Sequence, residues 1–167
     1  MQSEMLEEIR QDAIRLLDAA VAEVCEMMLA QECVVQLCCH TTFELIHAAV
    51  QFSGGMKGVC VVRADESATL QMASTMLREE LNTLDAKVLD VLGEMANMIS
   101  GAWKSRLTPE AAGCRMSVPV VTVSMDYSHG SDSTDSLKIE RCYEIGSERL
   151  HVTIQIQPDL HNCPDLP

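Results

Sequence analysis

Asp90–Lys104, DVLGEMANMISGAWK, is the stretch on which the reading of this chain turns. At helical periodicity, the segment and its upstream flank separate into two faces. Val88, Leu92, Met95, Ile99 and Trp103 form an unbroken apolar stripe. Opposite it, Lys87, Asp90, Glu94, Asn97, Gly101 and Lys104 fall within an arc of roughly 100°, at about 100° per residue. Two carboxylates one turn apart and an amide three residues further on therefore project together. Gly101 lies just beyond them, where a second molecule could approach the surface closely.

Working outward, this helix is expected from about Asp85 to Arg106, after a break at Asn82-Thr83 and before Thr108-Pro109. Upstream, Asp65 reads as the N-cap of a helix running to about Glu80, with Met72, Ala73, Met76 and Leu77 buried. The chain opens with a long helix from Ser3, its expected N-cap, to about Leu29. Acids at Glu4, Glu7 and Glu8 suit the positive end of its dipole. Met5, Ile9, Ala13, Leu16, Ala20, Val24 and Met27 make its stripe, widened by Ile14, Leu17, Val21, Cys25 and Met28. Between these helices the pattern turns β-branched and alternating, giving strands over 33–40, 42–52 and 57–63. Gly54-Gly55 reads as the turn of a hairpin, because no Gly-Lys-Ser/Thr follows to make a phosphate loop.

Downstream, MSVPVVTVSM (116–125) reads as one strand, in which Pro119 implies a strand start, an edge or a bulge. The polar run 126–136 reads as a solvated loop, since the alternating ligands of an EF-hand are missing. Strands over 137–144 and 149–157 follow, joined at Gly146-Ser147. The expected fold is α/β (α+β), a mainly antiparallel curved sheet of about six strands with three helices packed on it. Residues 1–157 are read as one domain and 158–167 as a disordered tail. A helix followed by three strands occurs twice, which hints at internal pseudo-symmetry.

Composition narrows the function. The 167 residues are 47% hydrophobic but only 3% aromatic, so the core must rest on aliphatic side chains and an unusual 11 Met. A net charge of −13 argues against nucleic acid and anionic membrane as partners. No apolar run approaches the ~20 residues a membrane span needs. The opening MQSEMLEEIRQD carries acids where a signal peptide would be basic, so a cytoplasmic location is expected. Eight cysteines show no C-x-x-C pair and no zinc spacing; reduced, buried thiols are expected. In Cys38-Cys39-His40 neighbouring strand residues diverge, so no metal is expected there.

Asp90 and Glu94 repel each other by a few tenths of a kcal/mol at i, i+4 spacing, with Lys87 and Lys104 close enough to offset this. A solvated face that happens to carry acids would look much the same. Against that reading, Glu94 and Asn97 lie one turn apart and could grip one small target. Asn and Gly are also poor choices for helix stability. No His, Ser or Cys nucleophile shares the surface. His47 and His151 sit in strand-like segments as structural histidines, and His40, His129 and His161 in loops. Two acids on one exposed helix offer no sugar cleft. An isolated Glu and Asn can bind a cation and orient water, but cannot perform covalent catalysis.

These residues resemble the motif of the CheC/CheX family of chemotaxis phosphatases, and more closely its CheX-like branch. That pattern is Asp or Ser, Glu four residues on, Asn three further, and a Pro a little over twenty residues later. Here the matching positions are Asp90, Glu94, Asn97 and Pro119. GEMANMISGAWKSRL and FSGGMKGVCVVR resemble the family's helix and its preceding turn and strand. CheC-type relatives carry the motif on two helices, but the first helix here offers Asp18, Ala22 and Cys25 at that spacing, leaving one site per chain. Where relatives often continue into a glycine after the Pro, this chain reads Val120-Val121-Thr122-Val123-Ser124.

The resemblance implies a phosphatase acting on the aspartyl phosphate of a phosphorylated CheY-type response regulator. Glu94 would pair with a lysine of the regulator and Asn97 would position water. Asp90, Gly101 and Pro119 would support them. The resemblance also implies that the chain binds no cofactor or metal, that the regulator supplies Mg, and that the protein is a homodimer joined through sheet edges. A non-catalytic regulator-binding adaptor, or a flagellar-switch-like scaffold, is the alternative.

Overall fold

A computed structural model describes residues 2–37, 45–124 and 136–157. In chain order the elements are α1 (Gln2–Leu29), β1 (Cys33–Gln36), β2 (Leu45–Ser53), β3 (Lys57–Ala64), α2 (Glu66–Leu77), α3 (Ala86–Lys104) and α4 (Pro109–Ala112). There follow β4 (Arg115–Met116), β5 (Val120–Ser124), β6 (Leu137–Ile145) and β7 (Glu148–Gln157). The strands make one antiparallel sheet in the order β1-β6-β7-β3-β2, with β4 and β5 both paired to β2 at the far edge. Read from either end, this order exchanges the unit α1-β1-β2-β3 for the unit α3-β4/β5-β6-β7. The pseudo-symmetry hinted at by the repeated element order is thus visible in the topology, with β3 and β7 paired at its centre.

Alternation along the strands sets the core. Ile46, Ala48, Val50 and Phe52 of β2 are buried, as are Cys60, Val62 and Ala64 of β3 and Leu150, Val152 and Ile154 of β7. The α3 stripe is the sharpest match between sequence and structure: Val88, Leu92, Met95, Ile99 and Trp103 are all fully buried. Burial on that scale stabilises by about 1.5–3 kcal/mol for each large aliphatic side chain. Trp103 fastens the layers together. Its indole N–H donates to the Ala13 carbonyl of α1 at 3.2 Å, and its ring lies 5.9 Å from that of Phe52.

Several expectations shift. The mainly antiparallel sheet with three helices packed on it is as expected, but the strand expected over 116–125 is two short strands, so that the described residues form seven strands, and a single turn, α4, follows α3. The reason is a bulge. Phe52 pairs with Met116 but Ala49 with Val120, so four steps on one strand oppose three on β2. Pro119, with no N–H to give, sits in the extra stretch, combining the edge and bulge alternatives. Ser3 lies inside α1 rather than capping it. The buried face of α1 runs through Ala13, Leu17, Ala20, Val21, Val24 and Cys25, and Met27 is exposed. In α2, Asp65 caps as expected, accepting from the Ala68 N–H at 2.8 Å, but the helix stops at Arg78 in a left-handed conformation and Leu77 is exposed.

Cys25, Cys33, Cys60 and Cys114 are free thiols, whereas Cys142 is disulfide-bonded, so the expectation of reduced cysteines does not hold at that position. Cys38, Cys39, His40, the loop from 126 to 135 and the tail 158–167 lie outside the described residues.

Candidate functional site on the third helix

Asp85 fixes the start of α3 by accepting from the Val88 N–H at 3.0 Å, and the helix runs without interruption to a C-cap at Ser105. Burying the apolar stripe leaves the opposite arc outside. Asp90 and Glu94 are exposed, while Asn97 and Gly101 are partly exposed. Among the described residues, no hydrogen bond or ion pair engages the side chains of Asp90, Glu94 or Asn97. Two carboxylates and a carboxamide thus stand on one helix face, free to meet another molecule. The neighbouring lysines do not act as expected. Lys87 pairs with Glu79, and Lys104 donates to the Cys114 carbonyl at 2.6 Å. Each is committed to its own surroundings rather than to the acids.

Pro119 is distant in sequence but lies against this helix. A Cβ built on Gly93 would meet Pro119 Cβ at 3.3 Å and Val121 Cγ2 at 3.3 Å. The β4–β5 edge therefore rests on α3 directly beside Glu94. Ser117 holds the bulge in register with β2. Its N–H donates to the Gln51 carbonyl at 2.9 Å, and its Oγ accepts from the Gln51 N–H at 3.0 Å. Gly101 is different. A Cβ there would meet only the end of the Met116 side chain, at 3.8 Å, so the protein's own packing does not require glycine at that position.

The structure thus brings Asp90, Glu94, Asn97 and Gly101 together on one helix, with Pro119 at its flank. Gly93 and Ser117 escaped the sequence reading. Gly93 lies between the polar and apolar arcs and belongs to neither pattern. The signal that could have found it is the one applied to Gly101: a helix-interior glycine that helps no helix. His47 and His151 occupy strand positions on either side of Arg63 in one cross-strand row, away from this face. Among the described residues, no group of three or more His, Cys, Asp or Glu side chains gathers to hold a metal ion, and no helix is long and apolar enough to cross a membrane.

The family model described as chemotaxis phosphatase CheX matches residues 46–140, which span α3 and its motif, and the chain belongs to the CheX family. Among solved structures, it is similar to the chemotaxis protein CheX from Vibrio vulnificus, at 20% identity and a TM-score of 0.73 over 87% of this chain and 99% of that one. The CheX-CheY-BeF3-Mg+2 complex from Borrelia burgdorferi matches at 20% identity and a TM-score of 0.67 over 86% and 97% of the two chains. The FliM middle domain from H. pylori matches at 13% identity and a TM-score of 0.62 over 92% of each chain. At these identities the likenesses speak for the fold. No curated protein matches the sequence significantly.

Proposed function

We propose that this protein is a phosphatase for the aspartyl phosphate of a CheY-type response regulator, and that α3 is inserted into the regulator's phosphorylation site. The observation that carries the reading is the exposed and unengaged state of Glu94 beside an equally unengaged Asn97. An asparagine in a helix interior does not help the helix, so its place beside Glu94 on the open face of α3 calls for a reason other than folding. Glu94 forms an ion pair with a lysine of the regulator and sets the register of docking. The Asn97 carboxamide hydrogen-bonds a water so that its oxygen faces phosphorus. That oxygen bonds to phosphorus as the bond to the aspartyl oxygen breaks, releasing inorganic phosphate and restoring the carboxylate. Mg held by the regulator neutralises charge on the phosphoryl oxygens. An acyl phosphate is already reactive, so positioning a water suffices in place of a nucleophile, as with the water-orienting Gln of small GTPases.

Asp90 supports the helix face through hydrogen bonding, and Gly101 leaves room for the regulator's backbone. The protein itself holds no cofactor. It works in the cytoplasm as a homodimer joined through sheet edges. The β4–β5 edge supports that pairing, because Val118, Val120 and Val123 expose apolar surface along it at 81%, 60% and 44%. Catalytic amounts of the protein, added to phosphorylated regulator in magnesium, should shorten the regulator's phosphorylated lifetime over many turnovers. Slowing, or an effect only at stoichiometric amounts, would instead identify a binding adaptor or scaffold on the same fold.

A further inference from the structure

We infer that Gly93 is a positioning residue for Glu94 and Asn97: its missing side chain seats the Pro119–Val121 ridge of the edge strand against α3 and so fixes where the polar face stands. The inference rests on the function proposed above and adds to it a part of the molecule that touches neither regulator nor phosphate.

Three observations converge. A Cβ at Gly93 would lie 3.3 Å from both Pro119 Cβ and Val121 Cγ2 and 3.8 Å from Pro119 Cγ. The first two are closer than the roughly 3.5–4.0 Å at which carbon atoms attract best. The ridge has little freedom to retreat. Ser117 is bonded to both backbone groups of Gln51, and the Pro119 ring fixes its own φ. On the other side, α3 is held by fully buried Leu92, Met95 and Ala96, so neither partner of the seam is loose. An added methyl must therefore open the seam between α3 and the ridge by a few tenths of an ångström, at a point one residue before Glu94 and one turn before Asn97. Helix stability alone would favour Ala at position 93. Close seating explains the glycine, whereas Gly101, with 3.8 Å to the flexible end of Met116, has no such constraint.

The test compares wild type, Gly93→Ala and Gly93→Ala/Val121→Ala, reading regulator dephosphorylation at saturation, regulator affinity, thermal unfolding and the Asn97 side-chain amide resonances. Gly93→Ala should lower the saturated rate about tenfold with little change in affinity and no loss of Tm, since orientation is more sensitive than binding to small displacements. The Asn97 resonances should shift. Removing the Val121 methyls relieves one of the two 3.3 Å contacts and leaves that with Pro119, so the double variant should recover part of the wild-type rate and spectrum. Wild-type rate and unmoved Asn97 resonances in Gly93→Ala overturn the inference, as does a loss of rate that tracks loss of Tm and is not rescued. Should Gly93→Ala not fold, Val121→Ile presses on the same seam from the strand, and an unshifted Asn97 signal then overturns it. A wild-type protein without turnover would defeat the phosphatase reading instead, and the resonance shifts alone would then decide the positioning role.

Discussion

The two helices that occupy equivalent places in the pseudo-symmetric sheet, α1 and α3, use similar residues in opposite ways. Each carries an Asp at the head of the motif spacing. Asp90 of α3 is exposed and unengaged. Asp18 of α1 is drawn inward. It accepts from Arg141 Nε at 3.0 Å and Arg141 Nη2 at 2.7 Å, and from the Tyr143 hydroxyl at 2.7 Å. These bonds hold the Arg141 guanidinium protonated above its usual range, while burial, reinforced by Asp18, pushes the Tyr143 hydroxyl up. Four residues on, α1 has exposed Ala22 where α3 has Glu94. Three further, it has Cys25, which is fully buried, where α3 has a partly exposed Asn97. Asp18 and Cys25 of α1 have been absorbed into the fold, whereas among the described residues the side chains of Asp90, Glu94 and Asn97 of α3 engage no partner. In the function proposed here, the working helix is the one of the two whose polar side chains lack internal partners.

That contrast has measurable consequences. Asn97→Ala should abolish stimulated dephosphorylation, a loss of about 100-fold or more, with unchanged Tm; wild-type turnover from this variant would count directly against the role given to Asn97. Asp18→Ala should do the reverse. It leaves Arg141 and the Tyr143 hydroxyl without their acceptor, costing about 1–3 kcal/mol of stability, with turnover by the folded fraction unchanged. Glu94→Ala should weaken regulator binding about tenfold, close to 1.4 kcal/mol, with little effect on thermal unfolding. A drop in Tm in place of the affinity loss would make Glu94 structural. Asp90→Ser should alter the rate by no more than about twofold, since a hydroxyl can still supply a supporting hydrogen bond.

The contrast also shows why some features were legible in the sequence and others were not. The α3 stripe was legible because five large apolar residues recur at helical spacing, and all five are buried. Its polar face was legible because Asp90, Glu94 and Asn97 lie within two turns. The split of 116–125 was only half legible. Pro119 announced an irregularity, but whether it made a start, an edge or a bulge depended on its pairing with β2, which is not local. The Gly93 seam was not legible, because its neighbours lie 26 and 28 residues downstream and meet it only when the edge strand folds onto α3. On α1, nothing local distinguished Asp18 from an exposed acid. Its partners, Arg141 and Tyr143, are 123 and 125 residues away.

The most direct measurement is an NMR titration of the isotope-labelled protein with its regulator held in the phosphorylated form by beryllofluoride and magnesium. Shifts should concentrate on the backbone of residues 90–101 and on the Asn97 side-chain amide, with α1 around Asp18 unmoved. Binding that perturbs α1 or the open sheet while α3 stays silent would show that the regulator docks elsewhere, and that Glu94 and Asn97 do not enter its phosphorylation site.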